Sequence, residues 1–260
     1  MRSSNPVLNN LPASGSYDTF QNPQQYQAPV QAERPMTVDD VVTKTGITLG
    51  VIIVFALVTF GLSLVNPGLA LILTAIGGIG GFITVLVSAF GRKTGAATTL
   101  IYAAFEGLFV GGISLLLSGA LIGGADAGAL IGQAILGTIG VFLGMLFVYK
   151  TGAIRVTPKF TRIMTGAIIG VAVLALGNLL LALFTDMNPL RDGGPLAIVF
   201  SLVCIVLAAL SFLQDFDVAD RLVRQGAPSK MAWGVALGLA VTLVWLYTEI
   251  LRLLSYFNRN

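Results

Sequence analysis

The chain has 260 residues, of which 55% are hydrophobic and only 10% are charged, and its mean hydropathy is +0.88. A soluble domain of this length carries about 25% charged residues, so the composition excludes a water-covered globular surface and predicts that lipid is the main solvent. The net charge of +3 does not indicate a nucleic-acid partner, because the basic residues lie in short connections between apolar runs.

The first 36 residues are polar and rich in Asn, Gln, Pro and Ser, with neither a helical nor a strand period. We predict that residues 1–36 form a disordered N-terminal tail. They do not resemble a signal peptide, because no apolar segment follows Arg2. Thr37, followed by Asp39 and Asp40, is typical of a helix start, with Thr37 as N-cap and the acids in the first turn. We predict a short interfacial helix that begins there and leads into the membrane.

Seven apolar runs fill residues 37–256, and each is long enough to cross a bilayer as a helix of about 20 residues. The pattern predicts an all-α integral membrane protein, a seven-transmembrane-helix bundle. Tight-turn residues at 66–68 and 123–126 predict antiparallel hairpins. The predicted helices are residues 46–65, 69–90, 96–122, 127–149, 163–185, 196–213 and 231–254.

Lys and Arg fall mainly on one side of these runs, and this bias predicts a cytoplasmic N-terminus and, with seven spans, an outer C-terminus. The alternative is six spans with a re-entrant last run. The residues on the predicted inner side are Arg2, Arg34, Lys44, Arg92, Lys93, Lys150, Arg155, Lys159, Arg162, Arg221, Arg224 and Lys230. Those on the outer side are Arg191, Arg252 and Arg259.

Glycine pairs at four-residue spacing predict close packing of helices within the bundle, because glycine lets two backbones approach. Asn178, in the middle of the fifth run, is interpreted in the same way, as a polar packing residue rather than a ligand. The glycine pairs are Gly77/Gly81, Gly107/Gly111, Gly140/Gly144, Gly166/Gly170 and Gly234/Gly238.

Acidic residues in or beside the apolar runs are the candidate functional residues, because an ionisable group inside a membrane costs several kcal/mol. The chain has no His, so titration near neutral pH has to involve carboxylates. Glu106 lies ten residues into the third run, Glu249 lies late in the last, and Asp215 and Asp217 end the sixth. We predict that Glu106, Asp215 and Glu249 line one polar path.

Each acid also has a structural interpretation. Glu249 can pair with Arg252, one helical turn away. Asp215, Asp217 and Asp220 can form a solvated helix end that is balanced by Arg221 and Arg224. Glu106 is harder to explain in this way, because no basic residue lies in the middle of any run.

Three segments, in this order, resemble the Bax inhibitor-1 family of membrane proteins, and most closely its bacterial branch. They are FEGLFVG at 105–111, LQDFD at 213–217 and WLYTEILRLL at 245–254. The resemblance covers about residues 37–256. It implies a bundle whose last helix is central, and a pH-sensitive calcium leak gated by a pair of acids on the sixth and seventh helices.

The resemblance assigns the sixth-helix acid to Asp215, while the seventh-helix position depends on the alignment. The Leu-Tyr pattern gives Glu249, so that Asp215 and Glu249 would be the calcium ligands, whereas the Leu-Leu-Arg pattern gives Thr242. At ~1.5 Å per residue, Glu106 and Glu249 lie about 15 Å and 27 Å from the inner face and Asp215 lies near it. The last helix must therefore start late or break, or the acids form a ladder.

Two functions from different classes follow. The first is a cation leak channel or exchanger for calcium or protons, with no cofactor, in the plasma (inner) membrane if the chain is bacterial. The second is a non-transporting protein whose polar tail modulates a membrane protease or a stress-response partner. An intramembrane enzyme is not expected, since neither a His-rich metal motif nor paired mid-membrane aspartates occur.

Overall fold

The computed structural model describes residues 34–91, 95–118, 127–185 and 187–258, and it confirms seven helices long and apolar enough to cross a membrane. Each helix falls on one predicted apolar run. The helices are α1 (Val38–Ser63), α2 (Pro67–Gly91), α3 (Ala96–Ser118), α4 (Ala127–Thr151), α5 (Pro158–Thr185), α6 (Pro195–Arg224) and α7 (Ala232–Asn258).

The start of α1 is fixed by a capping box, as its sequence predicts. The backbone N–H of Asp40 donates to Thr37 Oγ1 at 3.2 Å, and the backbone N–H of Thr37 donates to Asp40 Oδ2 at 3.0 Å. These bonds satisfy donors that a helix start otherwise leaves without partners. α1 is continuous from Val38, so the predicted interfacial helix is its first turns.

Residues 34–37, here called the N-terminal strap, pack against the connection between α6 and α7. The backbone N–H of Met36 donates to Ala227 O at 2.7 Å, and that of Ser229 donates to Arg34 O at 3.0 Å. The Met36 side chain is 2% exposed and lies in a core cluster with Phe216 and Val235. The folded part of the chain therefore begins before residue 37, because one apolar side chain anchors a segment of polar composition.

α6 is longer than its apolar run. The predicted end at residue 213 is wrong, and the helix continues to Arg224. The added turns are polar but carry ion pairs at i,i+4 spacing, which stabilise a helix surface. Asp217 pairs with Arg221 at 3.0 Å and Asp220 with Arg224 at 2.9 Å.

α7 lies at the centre of the bundle, as the family resemblance implies. Sixteen of its 27 residues are buried, whereas only Met164 and Asn178 are buried in α5. α7 packs against α1, α3, α4 and α6. Two polar bonds tie it to α3, from Thr99 Oγ1 to Trp233 O at 3.0 Å and between Ser114 Oγ and Tyr247 Oη at 2.7 Å. α7 starts at Ala232 and does not break.

Close backbone packing explains some of the glycine pairs but not all. A Cβ atom on Gly77 would lie 2.6 Å from Phe105 O, and one on Gly107 would lie 2.5 Å from Ile52 O. For the pairs Gly140/Gly144 and Gly166/Gly170 the packing prediction is wrong, since a Cβ there would meet no described atom within 4 Å. These two pairs lie on α4 and α5, where most side chains face outward.

Some predictions concern residues outside the described ranges. The disordered tail over residues 1–33, the hairpin at 123–126 and the basic residues at 92–93 belong to this group, as does the predicted end of the third helix at 122. The first predicted hairpin is described and is confirmed. There, the Asn66 side chain accepts a bond of 3.0 Å from the Leu69 N–H at the start of α2.

Candidate functional site

Asp215 on α6 contacts Thr242 on α7. The hydroxyl of Thr242 donates to Asp215 Oδ2 at 2.7 Å and also lies 3.2 Å from Gly238 O. Thr242 is 7% exposed, and Asp215 is partly buried. The described structure therefore pairs the sixth-helix acid with the alternative seventh-helix position, and an α7 hydroxyl stands opposite a single carboxylate.

The Asp215 carboxylate lines a cleft of about 250 Å³ between α6 and α7. Two glycines on α7 contribute no side chain to the cleft wall, and a Cβ on Gly238 would lie 3.9 Å from Asp215 Oδ1. Apolar side chains complete the wall, so the carboxylate is its charged group. The lining residues are Asp215, Val218, Leu222, Met231, Gly234, Val235 and Gly238.

The corrected length of α6 changes the depth of Asp215. It lies nine residues before Arg224, the end of α6, and this corresponds to roughly 14 Å along the helix axis. Asp217 lies one turn from Arg221 and pairs with it. Asp217 therefore belongs to the charged end of α6, and Asp215 belongs to the cleft.

Glu249 forms a buried ion pair with Arg252 on the same helix. Arg252 Nη1 donates to Glu249 Oε1, and the two side chains are 8% and 5% exposed. Glu249 Oε2 is buried and has no hydrogen-bond partner among the described residues. The structure therefore agrees with the interpretation of Glu249 as the ion-pair partner of Arg252.

Arg191, in the connection between α5 and α6, adds a second positive charge near this pair. Partial desolvation, and then the like charge of Arg252, lowers the pKa of Arg191 from its usual value, while Glu249 opposes the change. A guanidinium remains protonated under such shifts. Arg191 is itself exposed and lies next to the exposed Asp192, so it adds its charge at the surface of the bundle. The sequence had predicted it only as an outer-side charge.

Glu106 lies between α2 and α3, away from the cleft. It is partly buried, and the phenol of Tyr102, one turn earlier on α3, interacts with its carboxyl. On α2, a Cβ added to Gly81 would lie 2.7 Å from Glu106 Oε2. The glycine at position 81 therefore leaves the space that the carboxylate occupies.

The three acids have separate surroundings. The bonds from Thr99 to Trp233 and from Ser114 to Tyr247 set α3 and α7 in register. Counting residues along α3 and α7 between these two bonds places Glu106 within roughly one helical turn of the level of Thr242. Tyr102 and Ala240 share a core cluster, and Ala240 lies on the face of α7 away from Thr242. Glu106 and Asp215 therefore lie at similar depth on opposite sides of α7.

Glu249 lies seven residues beyond Thr242, which corresponds to roughly 10 Å along α7. Among the described residues, no three His, Cys, Asp or Glu side chains cluster as a metal site. Any cation at Asp215 would therefore be held by one carboxylate together with neutral oxygens.

A comparison of the sequence with protein-family models gives a match over nearly the whole chain. The model described as Bax inhibitor 1 like matches residues 5–259. A comparison with curated proteins gave no match.

Proposed function

Because the chain belongs to the Bax inhibitor 1-like family, we propose that it is a pH-sensitive cation leak channel or exchanger, with calcium or protons as the permeant species. The observation that carries the proposal is the Asp215 carboxylate at the wall of the cleft between α6 and α7. An ionisable side chain inside a membrane bundle is costly and is typical of an ion pathway. We propose no catalytic role.

The oxygen atoms around Asp215 suit a transient cation site. Calcium takes six to eight oxygen ligands. Asp215 Oδ1 is free of the bond that Thr242 makes to Oδ2, and the Thr242 hydroxyl and Gly238 carbonyl are adjacent oxygens. One carboxylate with a few neutral oxygens leaves most ligands to water, and this favours weak binding and passage over retention.

The pH response follows from the charge of the acids. Deprotonation of Asp215 creates a site for a cation, and protonation removes it. Flux should therefore increase as the pH rises, with calcium and protons in competition. We propose that Glu249, when it is released from Arg252, extends this path, and that Glu106 lines a second one on the opposite side of α7.

The orientation follows from the inner-side excess of Lys and Arg. We propose a cytoplasmic N-terminus, an outer C-terminus, and a location in the plasma (inner) membrane if the chain is bacterial. The end of the bundle with the N-terminal strap and the α6–α7 connection is then cytoplasmic. A reporter fused after Asn260 should be active only on the outer side, and cytoplasmic activity would reverse this orientation.

Calcium flux into proteoliposomes across a pH series tests the proposal. Wild-type protein should conduct more at high pH than at low pH. Asp215→Asn should abolish most of this dependence, whereas Asp220→Asn, which alters an acid at the charged end of α6, should leave it intact. Equal flux in empty liposomes and in all three preparations would refute transport.

The alternative function is a non-transporting membrane protein that modulates a membrane protease or a stress-response partner. The observation that favours it is the N-terminal strap, which joins the tail to the α6–α7 connection through Met36 and Arg34. A partner that binds the tail would then act on the bundle. Deletion of residues 1–33 discriminates between the two functions, since a channel should still conduct.

A further inference from the structure

Four exposed basic side chains lie in and beside the connection between α4 and α5. They fall within residues 150–162, a segment that contains no acid, and the nearest acids along the chain are Asp126 and Asp186. The segment therefore carries a formal charge of +4. We call Lys150, Arg155, Lys159 and Arg162 the basic connection.

The basic connection differs from other basic residues at the same end of the bundle, which have acidic partners. Their nitrogen atoms lie 2.7–3.9 Å from carboxylate oxygens in the pairs Arg34–Asp40, Lys44–Asp40, Arg221–Asp217 and Arg224–Asp220. Within the described ranges, none of the four side chains of the basic connection forms an ion pair or a hydrogen bond. A strong positive charge without acidic partners is therefore concentrated on one connection.

The path of the chain keeps these charges beside the membrane surface. Thr151 ends α4 and Pro158 starts α5, so residues 152–157 alone join two candidate membrane spans. Six residues reach at most about 20 Å when fully extended, and a loop that returns to the bilayer rises about half of that. Lys150 directly follows the apolar run at 127–149, and Arg162 directly precedes the run at 163–185. The charges therefore lie at the level of the lipid headgroups.

The end of α4 is fixed against α6, so the connection starts from a defined point. The phenol of Tyr149 donates to Asp220 Oδ2 at 3.3 Å, and its ring lies 5.8 Å from that of Phe216. Asp220 is the acid that faces this end of α4, but Arg224 already balances its charge at 2.9 Å. Gly152 then turns the chain away from α4 with a left-handed φ of 67°.

Helix stability does not explain these charges. Lys159 and Arg162 lie in the first turns of α5, where the helix dipole is positive and favours anions, and α5 has no acid in its first turn. The two cations therefore oppose the dipole. A preference for one side of the membrane explains basic residues at this end, but it does not require that they lack acidic neighbours. Negative groups from outside the chain would relieve the repulsion.

Apolar side chains lie among the charges. Ile154, in the connection, is 38% exposed, and Ile163, next to Arg162, is 60% exposed. Basic and exposed apolar side chains in one segment suit the headgroup layer, where the cations meet phosphates and the apolar groups enter the acyl boundary. An acidic protein in water would satisfy the charges but not the apolar side chains. The chemistry therefore favours a lipid surface.

We infer that the basic connection binds the headgroups of anionic phospholipids in the leaflet beside it. The phosphates of these lipids supply the negative charges that residues 127–185 of the chain lack. With the orientation proposed above, this leaflet is the cytoplasmic one, which carries anionic lipids. The inference does not depend on cation transport by the bundle.

The experiment measures how strongly the full chain, reconstituted in phosphatidylcholine vesicles, prefers spin-labelled phosphatidylglycerol to spin-labelled phosphatidylcholine. The motionally restricted fraction of each label gives the ratio of their association constants. Wild-type protein should favour phosphatidylglycerol at least about twofold. Salt at about 1 M, where the Debye length is about 3 Å, should remove most of the preference. Equal association of the two lipids, or a preference that salt leaves unchanged, would overturn the inference without any variant.

Two double variants locate the preference. Arg155→Gln/Lys159→Gln should remove at least about half of it. Arg221→Gln/Arg224→Gln removes the same amount of positive charge at the same end, but from positions that have acidic partners, and it should have a much smaller effect. Equal losses in the two variants would assign the preference to the net charge of the protein and overturn a site at the basic connection.

Two further measurements distinguish lipid from soluble anions. Replacement of chloride by inorganic phosphate at the same ionic strength should leave the preference for phosphatidylglycerol intact, and its loss would assign the connection to free phosphate. Fluorescent polyglutamate added to the protein in phosphatidylcholine nanodiscs represents an acidic protein segment. Binding of polyglutamate by a protein that shows no preference for phosphatidylglycerol would assign the connection to such a partner and overturn the inference.

Discussion

The hydroxyl of Thr242 on α7 donates a 2.7 Å hydrogen bond to Oδ2 of Asp215 on α6. A donor to a carboxylate stabilises its ionised form, and a bond of this kind contributes about 1.5–3 kcal/mol when one partner is charged. A second carboxylate at position 242 would instead repel the first. The pH response that we propose for the bundle therefore depends on an acid–hydroxyl pair.

Thr242→Val should move the midpoint of the flux–pH curve to higher pH. The variant keeps the shape of the side chain but removes the donor, so ionisation of Asp215 becomes less favourable. The size of a charged hydrogen bond corresponds to a shift of about one pH unit or more. This shift is measured as calcium flux in proteoliposomes over roughly two pH units on either side of neutrality. Thr242→Ser, which retains the hydroxyl, is the control and should behave as wild type.

An unchanged midpoint in Thr242→Val would mean that ionisation of Asp215 does not set the pH response.

Removing one member of the buried Glu249–Arg252 pair should destabilise the protein strongly. Arg252→Met leaves the Glu249 carboxylate buried without its partner, and losses of about 3–5 kcal/mol are typical of this change. The double variant Glu249→Gln/Arg252→Met removes both charges and should recover most of the loss. The free energy of unfolding in detergent micelles measures both. Equal destabilisation of the single and double variants would contradict a strong coupling between the two side chains.

The membrane helices could be predicted from hydropathy because lipid demands long apolar segments with internally satisfied backbones. The end of α6 could not, since Asp217 and Asp220 lower the hydropathy while their pairs with Arg221 and Arg224 keep the helix intact. Hydropathy measures the preference of a segment for lipid over water. Outside the membrane, by contrast, ion pairs between neighbouring turns can stabilise a helix of polar residues.

The candidate site was predictable only in part. Sequence identified Asp215 and left Glu249 and Thr242 as alternatives, because their choice depends on the register between two helices. The contacts of Asn178 had no signal, since its side chain bonds to Asn188 and Leu190 in the connection between α5 and α6, ten and twelve residues away. Contacts of this kind arise from the folded path of the chain and leave no periodic pattern.

Gly81→Ala should impair flux while leaving the fold intact. The new Cβ would meet Glu106 Oε2 at 2.7 Å, and a carboxylate at the end of a flexible side chain can move away. Flux should then fall across the whole pH range, as it should in Glu106→Gln. Gly77→Ala offers a contrast, since its Cβ would lie 2.6 Å from backbone atoms of Phe105 and Phe109.

Gly77→Ala should therefore lower the unfolding free energy by about 1–3 kcal/mol. Gly50→Ala on α1, where no described atom lies within 4 Å of the new Cβ, is the neutral control. Wild-type flux in both Gly81→Ala and Glu106→Gln would remove Glu106 from the pathway.

Two deletions that differ only by three residues of the N-terminal strap should have different effects on the free energy of unfolding. Deletion of residues 1–33 keeps Met36 and its backbone bond to Ala227, so the free energy of unfolding should stay close to that of the full chain. Deletion of residues 1–36 also removes the buried Met36 side chain and the bond from Ser229 to Arg34 O. Loss of a buried Met costs about 2–5 kcal/mol when it leaves a cavity. Met36→Ala in the full chain should reproduce most of this loss, and thermal unfolding in detergent measures all three. If the two deletions were equally stable, the strap would contribute nothing to the stability of the bundle.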